Sequence, residues 1–307
     1  MKLAIVIPFY KLLFFDETLN SLSSQTNKNF KVYIGNDASY ENPIELLEKH
    51  QGQFDFVYHR FETNLGGISL TKHWSRCIDL IQEEQWIMIL GDDDYISDTF
   101  VESFYRHHSV FNEKSSLVRF ASSVFDMDSN AVFSRVFKHP IWENAYDACC
   151  RKVRGETRSS LSEYVFSKAI YSKKQFTNYP LAFFSDDKAW LDFSDGKPIY
   201  SINDSIVYVR VSQISISGRT DNLSLKIEAE INFFSELYFN KLYAFNEACR
   251  LVIIRKFESA LLKKEKLRMF QWIHLYYSYL RNYDKKTFFK FNKRLIKTVL
   301  YREKVFY

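Results

Sequence analysis

Nowhere in this 307-residue chain is there an uninterrupted apolar run of the length, about 18 residues, that a bilayer-spanning helix demands. That absence removes the membrane-spanning helical classes first. The opening "MKLAIVIPFYKLLFF" has a lysine and an apolar run. Pro8 interrupts it and no small-residue cleavage site follows, so it does not read as a secretory signal. Cysteine is scarce as well. The four, Cys77, Cys149, Cys150 and Cys249, have neither metal-ligand nor redox spacing, and the adjacent pair is poorly placed to bridge itself. A reduced, intracellular protein is expected, cytoplasmic in location. Internal repeats and low-complexity linkers are missing too.

What is present is a core-forming composition, 46% hydrophobic and 18% aromatic, far from the disordered class. The length predicts one large domain with an appendage, or two domains. Charge is divided unevenly along it. Residues 225–307 hold 18 Lys and Arg against 8 Asp and Glu, whereas the rest is net acidic. An acidic amino-terminal part and a basic tail are expected to do different jobs.

The first 110 residues alternate short apolar runs with amphipathic ones. "KLAIVIPFY", "FKVYIGNDAS", "FDFVYHRF" and "QWIMIL" read as strands. "DETLNSLSSQ", "NPIELLEKH" and "GGISLTKHWSRCIDLIQEE" read as the helices between them. This order predicts an α/β fold with a doubly wound, mostly parallel sheet and helices on both faces. Beyond residue 110, "SLVRFASSVF", "NAVFSRVF" and "DSIVYVRV" read as strands. "SSLSEYVFSK" and "AFFSDDKAWLDFS" read as helical, and from about Leu225 the chain is helical throughout.

Two acidic features fall at carboxyl ends of strands, where such sheets bind ligands. One is Asp37. The other is the triplet Asp92, Asp93 and Asp94, whose three adjacent charges repel one another. Clustered carboxylates at a strand end suit a hard divalent cation, Mg²⁺ or Mn²⁺, which takes one or two of them and completes its shell with water and substrate phosphate. Helix capping by Asp94 and Asp98 is the competing use of acids here, and Asp98 is expected to cap the helix that follows. Capping leaves Asp92 and Asp93 unexplained.

In order and spacing, "IVIPFYK", "LNSLSSQTNKNFKVYIGNDAS", "NLGGISLTKHW" and "WIMILGDDDYIS" resemble the nucleotide-sugar-binding half of family 2 glycosyltransferases of the bacterial surface-polysaccharide type. The resemblance is strong over residues 1–110 and weaker to about residue 220. It implies a GT-A fold over residues 1–224, with donor binding in 1–110 and the acceptor side in 111–224, followed by a basic, aromatic-rich helical region over 225–307. It also implies an inverting, metal-dependent hexosyl transfer from a nucleotide-sugar, UDP-linked by analogy, to a saccharide or lipid-linked saccharide.

Position by position, the resemblance puts Pro8, Phe9 and Tyr10 along the nucleotide base and Asp37 on it, with Asn36 replacing the family's first acid. A turn after the strand is the plainer use of Asp37. The family's metal motif reads Asp-x-Asp-Asp. Here Gly91 stands first, so Asp93 matches the metal-binding carboxylate, Asp94 the residue after it, and Asp92 the variable position, in reach of metal or ribose. Lys72 follows "NLGG" where the family often has an arginine, a diphosphate or ribose contact; a solvated helix face serves equally. The catalytic base matches Asp186, with Asp187 as runner-up, in "FFSDDKAWLDF". Glu163 or Tyr164 would face the acceptor, and Arg219 of "SISGRTD" would fold over phosphates.

Two other readings compete. A non-catalytic nucleotide-sugar-binding subunit of an assembly complex draws support from the departures at Asn36 and Gly91. A nucleotidyltransferase would want a Gly-rich, basic triphosphate loop near residue 10, which is missing. In the tail, Phe288, Phe291, Leu295, Ile296 and Val299 recur at helical spacing opposite Lys290, Lys293, Arg294 and Lys297. Such a helix packs on its own domain or docks on an anionic membrane, which would place the enzyme on the inner membrane face. Nucleic acid is not an expected partner, because the basic surface lies apart from the acidic site.

Overall fold

A computed structural model describes residues 2–126, 132–211, 218, 221–263, 269–283 and 285–303. The chain divides into two compact units, Met1–Asp221 and Asn222–Tyr307. Arg219 and Val299 of the sequence argument lie outside what is described, Val299 as to its side chain.

The first unit opens with strands β1 (Leu3–Phe9), β2 (Phe30–Asn36), β3 (Asp55–Arg60) and β4 (Trp86–Ile89), separated by helices α1 (Phe15–Ser23), α2 (Ile44–Lys49) and α3 (Leu70–Ile78). It continues through β5 (Tyr95–Ile96), α4 (Phe100–Phe111), β6 (Leu117–Asp126), β7 (Val132–Phe133), β8 (Trp142–Glu143) and α5 (Ala145–Val153). Then come β9 (Tyr164–Ser167), α6 (Lys168–Lys174), α7 (Ser185–Phe193) and β10 (Ile199–Val211).

All ten strands form one sheet, whose main path runs β3-β2-β1-β4-β9-β6-β10-β5. β3, β2, β1 and β4 are parallel, and so is the long β6–β10 ladder; β9 enters antiparallel to both β4 and β6. Side chains alternate across the strands, and the helices sort accordingly. Ile5, Ile7, Val32, Ile34 and Val165 face a core built with α1, α2 and α4. The intervening Gly35 meets Cys77 of α3, and Phe166 packs on Phe193 of α7, so the other face is covered as well. The mixed α/β architecture with helices on both faces is as expected.

Three local expectations are corrected. "SSLSEYVFSK" is not helical: a single 3₁₀ turn at Leu161–Glu163 leads into β9, because Tyr164–Phe166 find backbone partners on both sides, in β4 and β6. "NAVFSRVF" contributes only the two residues of β7 to the described sheet. Asp98 does not cap α4; Thr99 stands at the cap without a side-chain bond, while the Asp98 carbonyl accepts from the Thr26 amide at 2.9 Å.

Gly35 is where β2 and α3 touch. A Cβ built there would lie 2.3 Å from Cys77 Sγ, closer than any real contact. Gly35→Ala is therefore expected to lower stability by about 1–3 kcal/mol, the usual range for overpacking. Adding Cys77→Ala should recover most of it. Urea denaturation of the two variants checks both statements.

The second unit consists of α8 (Leu223–Glu236), α9 (Glu247–Leu262), α10 (Met269–Asn282) and α11 (Lys285–Glu303). Glu258 of α9 ties the last three together: it accepts from the Tyr279 hydroxyl and from the Arg294 fork at 2.7 and 3.0 Å. Among the described residues no helix is long and apolar enough to cross a membrane.

Candidate active site

The sheet's strand order reverses between β1 and β4, and the crevice for a ligand opens beyond their carboxyl ends. One carboxylate joins the two ends. Asp92 Oδ2 accepts from the backbone amides of Tyr10 at 2.7 Å and Lys11 at 2.8 Å. β1 delivers Pro8 and Tyr10 to one side and Phe9 to the other, since successive side chains alternate. Phe9 is fully buried, its ring 4.7 Å from that of Phe15. It therefore drops out of the set expected to line the base, leaving Pro8 and the exposed Tyr10.

Asp94 is turned inward. Its Oδ2 accepts from the Ser162 hydroxyl at 2.5 Å and its Oδ1 from the Arg210 amide at 2.9 Å. Both oxygens serve the fold, so Asp94 is an anchor rather than an open ligand. Arg210 also donates to the Asp93 carbonyl at 3.0 Å, pairs with Glu17 and lies 4.0 Å over the Phe14 ring. The Asp93 carboxylate, half-buried, has no side-chain hydrogen-bond partner among the described residues; its backbone hydrogen bond comes from its own amide. Burial first, and then the Asp92 charge, push its pKa up to about 7. A Cβ at Gly91 would stand 3.0 Å from Asp93 Oδ1 and 3.1 Å from Asp94 Oδ2. The glycine at the motif's first position thus keeps clear the space both carboxylates use.

Among the described residues, no group of three or more His, Cys, Asp or Glu is arranged to hold a metal ion. The donor set fits the other arrangement, a hard divalent ion held by one carboxylate, Asp93, with the remaining ligands from diphosphate and water. Burial and the Asp92 charge outweigh the attraction of Arg210 and Lys11 at this carboxylate.

At the end of β2, Asp37 is buried and receives three donors. Leu65 and Gly66 amides reach Oδ1 and Oδ2, each at 2.8 Å, and Arg76 pairs with Oδ1. A Cβ at Gly66 would come within 2.5 Å of Asp37 Oδ2, which accounts for a glycine in "NLGG". His73 lies 3.4 Å away but is no counter-ion: burial lowers its pKa to about 4, and its Nδ1 accepts from Arg76 at 3.0 Å. A carboxylate takes about four hydrogen bonds, so one position on Oδ2 remains for a ligand donor. The turn expected of Asp37 is made by Asn36, whose Oδ1 accepts from the Ser39 amide at 2.8 Å while its Nδ2 donates to Tyr58 at 2.9 Å. A carboxylate at 36 could not do the second. Lys72 is exposed on the first turn of α3, with its amide on the Ser69 cap.

The second half of the first unit meets the β4 end through the turn that leads into β9. Ser162 donates to Asp94 and accepts from the Gly91 amide at 3.1 Å, and two residues on Tyr164 stacks on Trp190 of α7 at 4.1 Å. α7 begins with Asp186 and Asp187, and the two have different environments. Lys152 donates to Asp187 at 2.5 and 2.6 Å. Asp186 has no side-chain hydrogen-bond partner among the described residues, only backbone amides of its own turn, and burial, then the Asp187 charge, raise its pKa to about 7. The loop before them is strained: Leu181, Ala182 and Phe184 have φ of 58°, 54° and 67°, a region that L residues avoid. Glu163 is buried on Arg158 and Ser160, and Tyr164 lines a cavity of roughly 20 Å³ with Lys152, Asp187 and Trp190.

Arg76, Lys152, Ser162 and Arg210 were missed from sequence, since each acts on a residue far along the chain. For Arg76 alone a signal existed: it sits on the same helix as Lys72, one turn later.

The fold and this site define a GT-A-type α/β protein. Residues 4–117 match the family model "Glycosyl transferase family 2". The chain is 28% identical over 101 residues to poly(ribitol-phosphate) beta-N-acetylglucosaminyltransferase TarS of Staphylococcus aureus (strain Mu50 / ATCC 700699), a stretch of 32% of this chain and 17% of that protein. It thus spans about a sixth of the length of that relative. S. aureus TarS 1-349 in complex with UDP superposes with a TM-score of 0.59 at 17% identity, covering 90% of this chain and 79% of that one. Its complex with UDP-GlcNAc gives 0.60 at 15%, covering 93% and 82%.

Proposed function

We propose that the chain is an inverting, metal-dependent glycosyltransferase that moves a sugar from a UDP-sugar to a saccharide or lipid-linked saccharide acceptor in surface-polysaccharide synthesis. The observation that carries this reading is that Asp93 and Asp186 have no side-chain hydrogen-bond or ion-pair partner among the described residues, while Asp92, Asp94 and Asp187 beside them are tied into the fold. UDP as the carrier is supported by the solved TarS complexes with UDP and UDP-GlcNAc. Pro8, Tyr10 and Asp37 would hold the base, with Asp92 and Lys72 toward the ribose and diphosphate.

In the transfer itself, the acceptor hydroxyl attacks the anomeric carbon as the bond from that carbon to the diphosphate breaks. Asp186 takes the hydroxyl proton from the face opposite the leaving group, which inverts the configuration. A Mg²⁺ or Mn²⁺ bound by Asp93 would supply charge stabilisation to the departing diphosphate. The departures at Asn36 and Gly91, which alone favoured a non-catalytic subunit, each have a local structural reason.

Calorimetric titration of UDP with and without Mn²⁺ tests the donor side; binding that needs the metal is expected. Failure of UDP, GDP and dTDP alike would overturn it. In the same assay Arg76→Ala is expected to weaken UDP binding at least about tenfold, because a charged partner of Asp37 contributes about 1.5–3 kcal/mol. Lys72→Ala should cost less, as its side chain stands in solvent.

A further inference from the structure

Helix α10 is apolar on both sides. Trp272, Leu275 and Tyr279 form its inner side, with Trp272 and Tyr279 stacked on Phe291 of α11 at 6.2 and 4.2 Å. Its outer side carries Phe270, Ile273, Tyr277 and Leu280, spaced three, four and three residues apart and therefore on one stripe. Phe270 is 66% exposed and Tyr277 60%. The polar side of the helix, Gln271, His274 and Ser278, lies between these two and is engaged by the Tyr238 hydroxyl, so the outer apolar side is left uncovered by it; an aromatic-aliphatic stripe of this kind marks an interaction surface.

The charge beside the stripe says what covers it. Over residues 269–303 there are eight Lys and Arg against two acids, and Lys285, Lys286, Lys290, Lys293 and Lys297 of α11 are all exposed. Self-pairing of two copies would bring like-charged helices together, which is unfavourable. An anionic lipid surface satisfies both features at once. We infer that α10 lies in the interface of an anionic membrane, its Phe270–Leu280 stripe among the acyl chains, with the α11 lysines on the headgroup phosphates. The sequence left the apolar side of α11 either to pack on its own domain or to take this role. Phe291 of that side is fully buried while Ile296 is exposed, and the docking stripe belongs to the neighbouring helix.

The inference does not depend on the transfer chemistry. Its test is co-sedimentation of the full chain with phosphatidylcholine vesicles, with and without phosphatidylglycerol. Binding to the anionic vesicles is expected to exceed binding to the neutral ones at least about tenfold. F270S/I273S/L280S and, separately, K286E/K290E/K293E should each lose about tenfold or more, with UDP binding unchanged as evidence of an intact fold. Three results would overturn it: no vesicle binding, equal binding to both compositions, or a dimer in equilibrium sedimentation that the serine variant dissolves.

Discussion

Asp93→Ala is expected to abolish metal-dependent UDP binding and to lower transfer at least about 10²-fold, without loss of stability. The reason is its isolation. Asp92 holds two backbone amides of the β1 end, and Asp94 holds Ser162 and Arg210; removal of either strands buried donors at about 1–3 kcal/mol each. Asp93 accepts no hydrogen bond from the side chain of any described residue, and its neighbour's charge repels it. Taking it away relieves repulsion and breaks nothing, so the thermal midpoint in metal-free buffer should stay level or rise. Asp94→Ala should lower that midpoint. Wild-type turnover in Asp93→Ala would remove the metal from this reading.

Asp186→Asn is expected to cost about 10²–10⁴-fold in kcat, the usual contribution of a positioned base. The pH profile carries more information. A base works deprotonated, and the pKa of Asp186 is raised to about 7, so the wild-type rate should fall as pH drops through about 7. Asp187 is one cause of the elevation, while Lys152 opposes it. Asp187→Asn removes the raising charge and leaves the Lys152 ammonium acting on Asp186, so the acid limb should move to lower pH. Initial rates from about pH 5 to 9 for wild type and both variants test this. An unchanged limb in Asp187→Asn, or full activity in Asp186→Asn, would assign the base elsewhere.

Local pattern was a good guide where an element's neighbours are also its sequence neighbours. β1, β2 and β4 are continuous runs buried on both faces and bounded by their own turn residues, and the helices between them show the 3.6-residue period. The helical reading of "SSLSEYVFSK" failed for the opposite reason. A four-residue strand becomes favourable only because β4 and β6, distant along the chain, leave a gap between them. The stripe of α10 has the same character, since a helix with two apolar sides does not reveal which of them its own domain will cover.

By itself the sequence determined that an α/β sheet would bring Asp37 and the triplet Asp92–Asp94 to carboxyl strand ends, and that a pair of acids would open a helix in the second half of the first unit. These follow from spacing along one element. Only the tertiary structure decided which acid of each cluster is available. Ser162 and Arg210 reach Asp94 from 68 and 116 residues away, Lys152 reaches Asp187 from 35, and Arg76 reaches Asp37 from 39. Adjacent carboxylates are chemically equal until partners arrive, and those partners arrive only when the sheet is assembled.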